Sequence, residues 1–180
     1  MESLDQLILT AIGPDEVGLV QKLSRFVSSR GCNIEDSKMA VFCGEFAVIL
    51  LISGHHDSLA LISEHRNQIE TESGLSINIK KLSDRKPTEF YAPYKLVASC
   101  MDHSGIVYQI SGLLSRFGIN IESLETLTYP APVTGSPLFR LQAHLAVPTR
   151  TNIDEVVEHL ERLQADENLD IELTAMQNAG

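Results

Sequence analysis

Apolar positions cluster in Gln6–Ile12 (QLILTAI) and again in Tyr94–Cys100 (YKLVASC), two β-rich segments that each run into a short loop containing Asp and Gly. The spacing of Leu19, Val20, Leu23, Phe26 and Val27 then predicts a helix with one buried face, and Ile106, Val107, Ile110, Leu113, Leu114 and Phe117 predict its counterpart. Both helices are expected to stop at a glycine, Gly31 and Gly118, where the chain can take a left-handed conformation. Extended segments follow. In the first half Asn33–Phe42 turns through Cys43-Gly44 into Glu45–Ser53; in the second the pair is Ile119–Tyr129 and Leu138–Val147. A second helix is predicted over Ser58–Glu72, with Leu59, Ile62 and Ile69 on its stripe. Its counterpart covers Ile153–Gln164, with Asn152 as N-cap, acids early and Ile153, Val156, Val157, Leu160 and Leu163 inward. Leu75–Leu82 and Leu169–Ala175, both largely alternating, read as last strands.

The two halves are copies. With the sequence slid by 87 positions, Asp15–Glu35 falls on Asp102–Glu122 and nine of the twenty-one positions are identical without a gap. Each copy has the order βαββαβ, so the expected class is α+β: two ferredoxin-like units, each a four-stranded antiparallel sheet with its helices on one face. The expected division is residues 1–83 for the first domain, 84–93 for a polar linker and 94–180 for the second. Such a sheet leaves one face and its edges uncovered, which predicts a pseudo-symmetric pair within the chain and a homodimer between chains.

Composition narrows the function classes. Fourteen Lys and Arg against twenty-four Asp and Glu give a net charge of −10, which argues against direct nucleic-acid binding. The longest apolar run, Phe46–Ile52, has seven residues, far short of the ~18 that a spanning helix needs, so no membrane role is expected. The acidic start Met1-Glu2-Ser3-Leu4-Asp5 lacks the character of an export signal, and three scattered cysteines (Cys32, Cys43, Cys100), read as small buried residues, fit a reducing compartment; the expected location is cytoplasmic. His55, His56 and His65 do not have ligand spacing, so neither metal nor cofactor is expected. No paired acids, no nucleophile with a base and no nucleotide-binding loop are found, so the chain reads as a non-enzyme without catalytic residues.

The candidate chemistry lies in the loops between first strand and first helix: Asp15, Glu16, Val17 and Gly18 in one copy, Asp102, His103, Ser104, Gly105 and Ile106 in the other. An Asp there can cap free helix N–H groups, and a glycine lets a guest approach the backbone closely. A helix N-terminus of this kind favours a carboxylate, and an α-amino acid also offers an ammonium that Asp or a carbonyl can accept. Asn33-Ile34 and Asn120-Ile121 open the next strand and can supply an amide from a neighbouring copy. Glu35 and Glu122 repeat faithfully and read as polar strand positions at the copy interface. The chief asymmetry is the loop Pro130–Pro137, stiffened by proline and able to close over a site or present a surface.

Two βαββαβ units carrying Asp-x-x-Gly-[Leu/Ile]-Val and Gly-[Ile/Cys]-Asn-Ile-Glu resemble ACT domains, over about Leu4–Leu82 and Tyr94–Ala175. A tandem pair with a longer connection in its second copy is similar to the family of glycine cleavage system repressors. The resemblance implies a small amino acid of the glycine or serine type as ligand, and a transcriptional activator as protein partner. A regulatory subunit docked on an amino-acid metabolic enzyme is the alternative it leaves. Glu16 and His103 stand where that family usually has arginine, which leaves the ligand's identity open.

Overall fold

The computed structural model describes residues 4–82, 90–132 and 134–177. It divides into two compact units, each built on one sheet. In the first, β1 (Asp5–Pro14) leads to α1 (Leu19–Ser28), the hairpin β2 (Asn33–Phe42) and β3 (Glu45–Gly54), helices α2 (His56–Glu64) and α3 (Arg66–Ser73), and β4 (Ser76–Lys81). In the second, β5 (Tyr91–Met101) leads to α4 (Ile106–Arg116), β6 (Asn120–Pro130), β7 (Pro137–Pro148), α5 (Ile153–Glu167) and β8 (Asp170–Ala175). The strand orders are β2-β3-β1-β4 and β6-β7-β5-β8, every pairing described being antiparallel. This is the expected ferredoxin-like unit, twice.

Alternation sets the layers. Leu7, Leu9 and Ala11 on β1 and Phe46, Val48, Leu50 and Ile52 on β3 turn to one face and pack with Leu19, Leu23, Phe26, Val27, Leu59, Ile62 and Ile69 from the helices. Leu96, Ala98, Phe139, Leu141, Ala143 and Leu145 meet Ile106, Ile110, Leu113, Leu114, Val156 and Leu160 in the same way. The last helix is tied to the last strand by one side chain in each copy. Glu70 Oε1 accepts from the Ile77 amide at 2.8 Å, and Gln164 Oε1 from the Ile171 amide at 3.1 Å.

Four expectations change. The helix over Ser58–Glu72 is two helices, because His65 leaves helical geometry (φ −92°, ψ 16°) and its ring Nδ1 donates to the Leu61 carbonyl at 2.9 Å. Val20, the matching Val107 and Val157 are exposed, 56%, 36% and 37%, since each helix's apolar stripe overruns the sheet it covers. Of the expected linker 84–93, residues 84–89 lie outside the described residues, and Tyr91–Pro93 already belong to β5, paired with Ala146–Pro148. Cys43 is exposed at a positive φ of 51° in the β2–β3 turn, where no core is in reach; Cys32 is buried and Cys100 half-buried.

Candidate functional site

Both copies build the strand-to-helix loop alike. The Asp15 amide donates to the Gly44 carbonyl at 2.8 Å and the Asp102 amide to the Pro137 carbonyl at 2.9 Å, so each loop leans on the far turn of its own hairpin. Gly18 and Gly105 then turn at φ 97° and 101°, and their carbonyls accept from Lys22 and Gln109 to start the helices. A Cβ at either glycine would meet nothing within 4 Å, so the dihedral requires glycine there, not crowding. Gly18 and Gly105, not the aspartates, occupy the N-cap, and neither helix receives a side-chain capping bond. This corrects the expected Asp cap: the backbone of Asp15 and Asp102 is held while the two residues stay exposed, and no side chain caps the first-turn N–H groups, of which that of Leu19 donates to the Glu16 carbonyl at 3.4 Å.

Around these mouths Glu16, Val17, His103 and Ser104 are exposed, Val17 completely. The ring Nδ1 of His103 donates to the Ser104 carbonyl at 3.2 Å. Ile106 does not belong with them. It is 2% exposed in the core, as is Leu19 at the matching position, because the first helical residue after the glycine turns inward.

Asn33, Ile34, Asn120 and Ile121 stand elsewhere. Asn33 pairs with Ser53, which pairs with Gln6, whereas the Asp15 loop joins the end where Pro14 pairs with Glu45. Eight residues of strand separate the two ends, about 25 Å at 3.3 Å per residue. The second copy repeats this, with Asn120 paired to Ala146 and Met101 to Leu138. Neither copy therefore brings its own loop and asparagine together. Ile34 and Ile121 are half-buried against their own cores and offer an edge, not an open wall.

Sequence reasoning missed Ser53. The β2 register shifts between Ile34 and Asp36, which sets Glu35 in a bulge where it accepts from Asn33 Nδ2 at 3.0 Å and from the Ser53 hydroxyl. The Ser53 hydrogen bond, then that of Asn33, holds the Glu35 carboxyl below the usual carboxylate range. Ser53 lies eighteen residues along the chain, and only strand pairing brings it there. Glu122 sits in the same bulge, but the residue opposite Asn120 is Ala146, which has no hydroxyl.

The proline-rich connection stands beside the second mouth through the bond from Asp102 to Pro137. Its ends are closed by Ala131 N–H to Ser136 at 2.8 Å and Gly135 N–H to Ala131 at 2.9 Å; Val133 lies outside the described residues. Burial pushes the Cys32 and Cys100 thiols up, and Asp102 adds to the effect at Cys100, so neither is an activated nucleophile. His56 Nδ1 lies 3.0 Å from Asp5 Oδ2, and among the described residues no three His, Cys, Asp or Glu side chains converge as a metal set would. No described helix is long and apolar enough to cross a membrane.

Comparison with known proteins adds to this geometry. The ACT domain model matches residues 5–80. The glycine cleavage system transcriptional repressor of Escherichia coli (strain K12) is 32% identical over 131 residues, which are 73% of this chain and 69% of the repressor. The Shigella flexneri repressor matches with the same figures. Among solved structures, an unknown protein from Galdieria sulphuraria has a TM-score of 0.85 at 31% identity, covering 97% of this chain and 100% of that one. A crystal structure described as a candidate glycine cleavage system transcriptional repressor has a TM-score of 0.70 at 21% identity over 98% of this chain and 100% of its own, a likeness of fold.

Proposed function

The chain belongs to the family of ACT-domain proteins that includes the glycine cleavage system transcriptional repressor, and from that premise we propose that it is an amino-acid-responsive regulator of the same type. A small amino acid, glycine or serine in kind, binds where the Asp-x-x-Gly mouth of one copy meets the Asn-Ile strand start of a neighbouring one. The observation that carries this reading is the duplicated mouth. Two stretches 87 residues apart keep an exposed carboxylate, a positive-φ glycine and a helix start without a side-chain cap. The first-turn N–H groups suit the ligand's carboxylate, and Asp15 or Asp102 suits its ammonium.

The chain acts as a binding protein, not a catalyst, and works in the cytoplasm. A net charge of −10 favours contact with a DNA-binding activator over contact with phosphates. Strands β2 and β6, ten and eleven residues long, are edges of their own sheets and supply ready surfaces for a homodimer. The ligand regulates by binding one arrangement of copies better than another, on the usual scale of about 1–3 kcal/mol.

Calorimetric titration of the full chain with glycine, serine and the other common amino acids tests the reading. Binding of a small amino acid is expected, weakened at least tenfold by Asp15→Ala combined with Asp102→Ala; no binding by any amino acid removes the ligand. Affinity capture from extract tests the partner: an activator is expected, and recovery of a metabolic enzyme instead turns the reading to a regulatory subunit.

A further inference from the structure

On the helix layer of the first unit, away from the Asp-x-x-Gly mouth, α1 and α3 enclose a groove of about 580 Å³. Lys22, Arg25 and Arg30 come into it from α1 and the turn after it, facing His65, Gln68 and Glu72 across the groove. Three of the chain's fourteen basic residues thus line one groove of a molecule with net charge −10. Glu72 is the one acid in the lining, and it already accepts a hydrogen bond from Gln68 Nε2 at 2.8 Å.

The arrangement is held in place. Arg30 lies over the Phe26 ring, 3.8 Å from its centroid, and donates to the Phe26 carbonyl at 2.9 Å and to Gln68 Oε1 at 3.3 Å. Its Nε is buried with no hydrogen-bond partner. Lys22 and Arg25 have no ion pair among the described residues, and positions 22, 25 and 26 fall on one helix face. Like charges gathered in a concave surface without matching acids repel one another unless an anion joins them. The second unit has a groove of about 500 Å³ at the same place, where Gln109 and Gly112 replace Lys22 and Arg25, while Arg116 and Arg162 line it together with Asp166. The pair Lys22 and Arg25 on the first helix is a property of the first copy and not of the fold.

The geometry points to a binding site for a small organic polyanion, with two or more carboxylate or phosphoryl groups, in the α1–α3 groove of the first unit. The groove has the volume of a metabolite site, which typically spans about 300–1,000 Å³. Lys22 and Arg25, three residues apart on α1, are separated by about 4.5 Å of helical rise, a spacing that suits a compact molecule and not an extended acidic chain. Lys22 and Arg25 supply the unpaired charge.

Citrate and inorganic pyrophosphate are the probes, titrated into the full chain at constant ionic strength and followed by calorimetry and amide chemical shifts. Saturable binding of at least one is expected, with shifts confined to residues 22–30 and 65–72; which one binds distinguishes carboxylate from phosphoryl recognition. Lys22→Gln with Arg25→Gln should weaken it at least tenfold while amino-acid binding stays unchanged. Failure of both probes, shifts centred elsewhere, an unaffected double variant, or binding of poly-glutamate alone would overturn the site.

Discussion

On the open face of the first sheet, Ile8 pairs with Leu51 and Ile12 with Ala47; the second sheet has Lys95 with His144 and Ser99 with Arg140 at the same register. Ile49 likewise corresponds to Gln142, while Thr10 against Val97 runs the other way. The helix layers differ less, with Lys22, Arg25 and Arg30 lining the groove of the first copy and Arg116 and Arg162 that of the second. The mouths and cores stay alike, since Gly18 matches Gly105 in backbone and Leu9 matches Leu96 in burial. The comparison teaches that the fold fixes inward positions and the turn dihedrals but leaves both outer faces free. With Ile12 and Ile49 more than half exposed, the first sheet has a face that gains from cover, whereas the second presents charges to water.

The sharpest way to break the likeness of the cores is at the end of β3. A Cβ on Gly54 would lie 2.8 Å from the Cys32 sulfur, whereas the second copy fills the matching corner with Val147 and Ile119, both buried. Gly54→Ala should cost about 1–3 kcal/mol by overpacking, read as lost hydrogen-exchange protection in the first unit. Cys32→Ala in the same chain should return part of it. A loss of only a few tenths would mean that the corner yields easily and that glycine answers another need.

Much of this was legible beforehand, for physical reasons. Alternation in QLILTAI and YKLVASC and the 3.6-residue spacing of Leu19, Leu23, Phe26 and Val27 report burial directly, so strands, helices and core followed from them. The site was half legible. Gly18 and Gly105 marked the mouths because a positive φ leaves few other residues. The distance from Asp15 to Asn33 was not visible, since nearness in sequence says nothing about which end of a sheet a residue reaches. Ser53 beside Glu35 and Arg30 over Phe26 depend on register and helix packing, which one sequence does not display.

A smaller test separates the second helices. Asn152 Oδ1 accepts from the Asp154 amide at 3.2 Å to cap α5, whereas α2 begins at His55 without a side-chain cap. Asn152→Ala should therefore destabilise the second unit by about 1 kcal/mol, measured by urea denaturation of the full chain with exchange read per unit. Asn152→Asp should preserve most of the stability, because a carboxylate caps as well and suits the helix dipole. If both variants lose equally, packing of the asparagine and not capping holds the helix start.

The smallest expected effect concerns the bulge. Ser53→Ala gives the first copy the side chain that Ala146 provides in the second, and removes the larger of the two hydrogen bonds that depress Glu35. The Glu35 carboxyl should then titrate closer to an ordinary glutamate, about 4.3, as followed by carbon NMR of its side chain. Because the folded value lies below the unfolded one, the stability it lends is complete above the unfolded pKa and fades as pH falls through the folded one. The difference between wild type and Ser53→Ala should accordingly be present at neutral pH and vanish in acid. An unmoved Glu35 titration would assign the depression to Asn33 alone, and Ser53 would then be a difference in sequence between the copies without one in function.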